Sequence, residues 1–325
     1  MSAAGTPSAD GAGASSRESS AIGFIGLGRM GRPMAGHIAA RGHRVVIHDT
    51  NPAACIGFDA ATVAASPKEV ADRCGIVFSC VATTEGYDDV ALGPQGLCAG
   101  TAVRTYVHLG TTGAAHIRGL AAALARVGIE TLDAPISGGV VGAVNGKLAS
   151  MVSGPADALA RARPLIDCYS RVVFDFGRKP GTAQVAKIIN NNISTTNLVA
   201  AIEGLTLGIK AGIDSAQLAD LIAAGTGSSL ANDAMVRQHV VTRDFTWGST
   251  MQIILKDLCA WQELADELKV GCPINRAASD LFVAAITRLG FDEDITAVAK
   301  FIEQNEGVSI GSAARHSARS RLLTP

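Results

Sequence analysis

A lysine and an asparagine stand four apart in "GTAQVAKIINNN", residues 181–192, and a helix would put Lys187 and Asn191 on one face. A buried lysine without a carboxylate partner is costly, so Lys187 either snorkels to solvent or performs acid/base work. The asparagines around it have poor helix propensity, which points to specific hydrogen bonds by those amides. A second stretch, "DAPISGG" at 133–139, brings Ser137, Gly138 and Gly139 into a turn. Side-chain-free N–H groups and a hydroxyl can converge there on a carboxylate, although an ordinary glycine turn has the same spelling. In "LKDL", Lys256 and Asp257 sit early in a helix, and read alone they belong to a solvated face with charge pairs such as Glu263 with Lys269 nearby. The histidines, His37, His48, His108 and His116 among them, lack a carboxylate or cysteine in triad-like context and read as structural.

A lysine beside a carboxylate-binding turn does nothing alone, and "AIGFIGLGRMGRPMAGHI" at 21–38 spells a seat for a second ligand. Gly26, Gly28 and Gly31 stand as G-x-G-x-x-G after an apolar run and at the start of a helix, with Leu27, Arg29 and Met30 filling the loop. Gly26 suits the tight turn, Gly28 a close approach by a pyrophosphate, and Gly31 helix packing on a sheet, while the helix N-terminus offers free N–H groups to phosphates. Asp49 closes the next apolar run, "RVVIHD", 21 positions after Gly28. A carboxylate there accepts hydrogen bonds from the adenosine ribose and repels a 2'-phosphate, so the pattern favours NAD over NADP. The same Asp49 could instead cap a turn with Asn51 and Pro52.

These groups need a scaffold, and the chain spells one. "AIGFIG", "RVVIHD", "GIVFSCV", "RTYVHLG", "GIETLDAP", "LASMVSG" and "RVVFDFG" read as strands, alternating with helical patterns such as "AAHIRGLAAALARVG". Alternation of this kind implies α/β architecture with a doubly wound parallel sheet. Near residue 180 the pattern changes to one long helix from Thr182, followed by helices over 214–225, 228–240, 249–269, 274–289 and 294–304. The expected organisation is therefore a leader at 1–20, a Rossmann-type domain at 21–180, an all-helical domain at 181–310 joined through the long helix, and a frayed tail at 311–325.

Composition narrows the function classes. The 325 residues are 48% hydrophobic and carry a net charge of -1, which gives no long-range field for nucleic acid or an anionic membrane. A small-molecule ligand fits that balance. The seven cysteines form no CxxC pair and no metal-ligand spacing, so they read as reduced thiols of a cytoplasmic protein, with no metal expected. The first twenty residues have no apolar core for a signal peptide, and no stretch has the roughly 18 uninterrupted apolar residues of a membrane span.

Taken together, four ordered stretches resemble the β-hydroxyacid dehydrogenase family over roughly residues 21–305. "GFIGLGRMGRPMA" is similar to its dinucleotide signature, "DAPISGGVVGAVNGKLASMVSG" to its substrate loop, "GTAQVAKIINNN" to its catalytic helix and "LKDL" to its second-domain contact. The resemblance implies an NAD-dependent dehydrogenase of a small 3-hydroxy carboxylic acid of the 3-hydroxyisobutyrate kind, or a tartronate semialdehyde reductase. It implies Lys187 as acid/base, Ser137, Gly138 and Gly139 on the substrate carboxylate, and Asn191 on the substrate oxygen. Val81, Thr111 and Lys256 would border the cofactor, and the protein would be a homodimer or homotetramer. Three positions depart from the family: Gly110 replaces the serine before Thr111, Ala82 the proline after Val81, and Ala183 the second glycine before the catalytic helix. A different class, a non-catalytic NAD-binding module, has no need of a lysine acid/base.

Overall fold

The structure, a computed structural model, describes residues 21–59 and 61–311. The leader at 1–20 and nearly all of the expected tail at 311–325 lie outside the described residues. Six short, apolar segments form a parallel sheet: β1 (Ala21–Ile25), β2 (Val45–His48), β3 (Ala61–Val63), β4 (Cys74–Ser79), β5 (Thr105–His108) and β6 (Glu130–Asp133). Their spatial order is β3-β2-β1-β4-β5-β6, the doubly wound arrangement the βα alternation predicts. Because crossover helices cover both faces, the strands other than the edge strand β3 are buried nearly throughout, and alternate residues feed two cores. Phe24, Ile47, Phe78 and Leu132 pack on one side; Ile25, Val46, Val77 and Tyr106 pack on the other. Among the helices on this sheet are α1 (Gly31–Ala40), α2 (Pro67–Arg73), α3 (Thr84–Leu92) and α4 (Ala114–Ala125).

Two of the expected strands belong elsewhere. "LASMVSG" and "RVVFDFG" provide β8 (Leu148–Val152) and β9 (Ser170–Asp175), which form a separate three-stranded sheet with the two-residue β7 (Ile136–Ser137). β7 runs antiparallel to β8, and β8 runs parallel to β9. The chain leaves the main sheet after Asp133, which pairs with His108 of β5 and also makes an isolated bridge to Ser153. Strand periodicity marks a segment as extended but does not say which neighbour it joins. Helices α5 (Gly139–Val144) and α6 (Ala156–Ile166) connect this small sheet.

The long helix α7 runs over Thr182–Lys210, 29 residues, and at about 1.5 Å per residue spans roughly 43 Å. Its buried face changes character along its length. Gln184, Lys187, Asn192 and Thr195 line the first half; Leu198, Val199, Ile202 and Leu205 line the second. The apolar half is the centre of a helical core built with α8 (Ser215–Ala224), a π-type helix at Ala231–Val240, α9 (Met251–Leu268), α10 (Pro273–Leu289) and α11 (Val298–Glu306). Met251, Phe245 and Trp247 pack into or against that core. No helix of the described residues is long and apolar enough to cross a membrane.

Candidate functional site

The candidate site runs along the carboxyl ends of β1, β4, β5 and β6, the last two of which meet the polar half of α7. At the first of these, Gly26 has φ of +88°, and a Cβ there would come within 2.4 Å of the Cys80 carbonyl after β4. At Gly31 a Cβ would meet the Gly26 carbonyl at 1.9 Å, whereas at Gly28 it would meet nothing within 4 Å. The loop is thus closed against its own backbone at two glycines and open at the third, which is exposed at the start of α1. That cradle fits a pyrophosphate approaching backbone N–H groups. Asp49 stands beside it and does two jobs at once. Its carboxylate accepts from the Leu27 N–H at 2.6 Å and from the Asn51 N–H at 2.8 Å, so it caps the turn before Asn51 and also touches the glycine-rich loop. Around the same loop, Arg29 donates to the Gly248 carbonyl of the helical domain at 2.6 Å, and Met30 packs against the core. A cavity of about 850 Å³ opens beside Gly28, Arg29 and Arg32.

Val81 and Thr111 follow β4 and β5, and a residue the sequence reading missed joins Val81 to the end of β5 and Gly110. Tyr87, buried on α3, accepts from the Val81 N–H at 3.3 Å and lies over His108 with ring centroids 4.0 Å apart. A Cβ at Gly110 would sit 2.3 Å from the Tyr87 hydroxyl, which gives the glycine at this position its physical reason: the tyrosine occupies the space a serine side chain would need. Ala183 has no comparable strain, since the left-handed backbone falls on Gly181, with φ of +97°.

Histidine context differs from the sequence expectation. His116 Nε2 lies 2.9 Å from the Asp88 carboxylate, and His239 Nδ1 lies 2.6 Å from Asp244. Neither partner was visible in one dimension, because each pairing depends on tertiary packing or a loop reversal. His108, wholly buried, has its pKa pushed down to about 3 by burial and, after that, by the His116 charge.

The start of α7 is held from outside the helix. Asp133 Oδ2 accepts from the Gly181 N–H at 3.1 Å and the Gln184 N–H at 2.9 Å, and Ser153 Oγ accepts from the Ala183 N–H at 3.0 Å. These are N–H groups that have no partner within the helix, and a carboxylate at that end also meets the favourable end of its dipole. Burial nevertheless pushes the Asp133 pKa up to about 6 against those hydrogen bonds.

One turn further, Lys187 is buried, with 8% of its surface exposed. Among the described residues its ammonium has no hydrogen bond or ion pair. Burial pulls its pKa down to about 8 from the ordinary 10.5; Asp257 opposes that shift and Lys256 adds to it. Asp257 corrects the solvated-face reading: it is 4% exposed, accepts from Asn191 Nδ2 at 2.8 Å, and pairs with Lys256 Nζ at 2.9 Å. The expected pair of Glu263 with Lys269 is not among the ion pairs of the described residues; Lys269 instead ends α9 in the left-handed conformation. Lys256 also donates to the Thr111 carbonyl, so α9 reaches across to the loop after β5.

Ser137, Gly138 and Gly139 are not a simple turn. Ser137 ends β7, and Gly138, with φ of +129°, precedes α5, which begins at Gly139. Both glycines are exposed, and Asn190 Nδ2 reaches the Ser137 hydroxyl at 3.5 Å. The structure therefore joins Lys187, Asn191, Asp257, Lys256 and Thr111 in one polar cluster, with Ser137 linked through Asn190.

Comparison with known proteins agrees with the fold. Residues 21–177 match the model of the NAD-binding domain of 6-phosphogluconate dehydrogenase, and residues 181–302 match the model described as NAD-binding of NADP-dependent 3-hydroxyisobutyrate dehydrogenase. An NAD-dependent L-serine dehydrogenase of Pseudomonas aeruginosa is 30% identical, covering 88% of this chain and 99% of its own. A 3-hydroxyisobutyrate dehydrogenase of the same organism is 33% identical over 80% of this chain and 90% of its own. The crystal structure of a 3-hydroxyisobutyrate dehydrogenase from Salmonella typhimurium superposes with a TM-score of 0.77 at 28% identity, covering 86% of this chain and 99% of that one.

Proposed function

Since the chain belongs to the β-hydroxyacid dehydrogenase family, and is thus an NAD-dependent oxidoreductase acting on a hydroxyl group, we propose that its substrate is a small 3-hydroxy carboxylic acid of the 3-hydroxyisobutyrate or L-serine kind. In this reading Lys187 is the acid/base. Bound NAD supplies the hydride acceptor for the oxidation. Lys187 takes the proton of the substrate hydroxyl, Asn191 orients that oxygen, and Ser137 with the backbone of Gly138 and Gly139 holds the carboxylate. Gly26 to Gly31 and Asp49 hold the dinucleotide, with Val81, Thr111 and Lys256 along its nicotinamide side. In the reverse direction the charged lysine donates the proton, which is the chemistry a semialdehyde reductase would require.

The observation that carries this reading is the buried, unpaired Lys187. A structural lysine would keep its ammonium in water or against a carboxylate. Here burial brings the pKa to about 8, close to where a general base works best. A non-catalytic module would have no use for that arrangement. The family resemblance also makes a homodimer or homotetramer part of the proposal.

The direct test is Lys187→Met, assayed by NADH formation with 3-hydroxyisobutyrate, L-serine, glycerate and threonate. Turnover should fall about 10²–10⁴-fold, the usual contribution of a general base, while NAD binding measured by calorimetry persists. A variant that keeps near wild-type turnover would rule Lys187 out as the base.

A further inference from the structure

We propose that Gln184 is a positioning residue, whose side-chain amide sets the loop at 110–113 in register with the turn of α7 that carries Lys187. The proposal rests on the reading of Lys187 above. Gln184 is fully buried, and its amide is saturated. Oε1 accepts from the Thr112 N–H at 2.9 Å and the Gly113 N–H at 3.1 Å. Nε2 donates to the Gly110 carbonyl at 2.8 Å and to Asp133 Oδ1 at 2.7 Å. Two donors and two acceptors meet two acceptors and two donors, so only this orientation of the amide satisfies the site.

Capping does not account for this side chain. The open N–H groups of α7 are already taken by Asp133 and Ser153. Three of the four partners of the amide belong instead to one short loop, and the fourth is the carboxylate that begins the stretch leading to Ser137. Behind that loop Tyr87 fills the space beneath Gly110, and in front Lys256 holds the Thr111 carbonyl. The loop is therefore fixed from α3, α7 and α9, and Gln184 is the contact that ties it to the helix of the acid/base, three positions before Lys187 on the same buried face.

If Gln184 positions, its loss should disturb alignment more than binding, because dinucleotide affinity is drawn mainly from the glycine-rich loop. The experiment compares wild type with Gln184→Leu and Gln184→Glu. Leucine fills the volume without any hydrogen bond; glutamate keeps the acceptors for Thr112 and Gly113 and, sharing one proton with the buried Asp133 carboxyl, keeps that contact, but no longer donates to Gly110. Three readouts are taken: hydrogen exchange at Thr112 and Gly113 in the cofactor-free chain, the dissociation constant and emission of bound NADH, and kcat with L-serine or 3-hydroxyisobutyrate.

In Gln184→Leu we expect exchange at those two amides to rise at least about tenfold and the NADH dissociation constant to stay within about threefold. The nicotinamide emission change on binding should shrink, and kcat should drop about 10–100-fold, the scale of a small misplacement of reacting groups. Gln184→Glu should fall between the two and decides the matter should the leucine variant not fold. Wild-type emission and kcat in Gln184→Glu, or in a folded Gln184→Leu, would overturn the proposal, as would a loss of NADH affinity in step with kcat. Failure of the Lys187 reading looks different: Lys187→Met would then stay active, while exchange and NADH emission still judge Gln184.

Discussion

Gln184 and Lys187 lie one turn apart on the same buried face of α7, and the protein treats them in opposite ways. The amide of Gln184 has four partners, and the carboxylate it touches caps the helix from another strand. The ammonium of Lys187 has no hydrogen-bond partner among the described residues, although Asp257 and Lys256 are near enough to shift its pKa. A buried polar group is ordinarily satisfied, because an unmade hydrogen bond costs about 1–3 kcal/mol. The first turn follows that rule and becomes a rigid joint; at the second the ammonium has no such partner among the described residues. Rigidity beside an unsatisfied group is what a site needs to hold a base in place without neutralising it.

The contrast can be broken most severely at the joint. Asp133→Asn puts an amide N–H₂ among groups that all donate, the Gly181 and Gln184 N–H groups, Ser153 and Gln184 Nε2. Unfolding in urea should show a loss of about 2–4 kcal/mol, the scale for a broken buried network. A neutral result would mean that α7 is held by packing alone.

At the second turn the sign reverses. The folded pKa of Lys187, about 8, lies below its ordinary 10.5, so the unfolded chain holds that proton more tightly. Burying the charged lysine therefore costs stability below pH 8, and the cost disappears as the pH rises through 10.5. Lys187→Met should accordingly stabilise the fold at neutral pH, by roughly 1–3 kcal/mol, with the gain shrinking in alkaline solution. Chemical denaturation at several pH values measures both. The smallest expected effect is at Asp257→Asn, which removes the negative charge that holds the Lys187 pKa up. The acid limb of the rate profile should move to lower pH by on the order of one unit. A limb that moved upward would place the influence of Asp257 elsewhere.

Much of this arrangement could be read in one dimension because it repeats at short range. Gly26, Gly28 and Gly31 declare a strand-to-helix loop, and the spacing of Lys187 and Asn191 declares a shared helix face. The doubly wound order follows from βα alternation. What the sequence hid depends on partners far along the chain. Asp257 looks like a solvent charge in "LKDL" until α9 packs on α7, and Gln184 looks like an ordinary helix residue until loop 110–113 folds onto it. Gly110 reads as a departure until Tyr87 is seen in the space above it. The small sheet of β7, β8 and β9 escaped notice because alternation reports strand conformation and not strand partners.

If burial leaves Lys187 poised as the base, the pH dependence of kcat/KM for oxidation will carry its ionisation, since that profile reports groups of the free enzyme. With 3-hydroxyisobutyrate or L-serine, the rate should rise with pH through a single group near 8, as the lysine loses its proton. A profile flat across that region, or one whose rise persists unchanged in the residual activity of Lys187→Met, would contradict it.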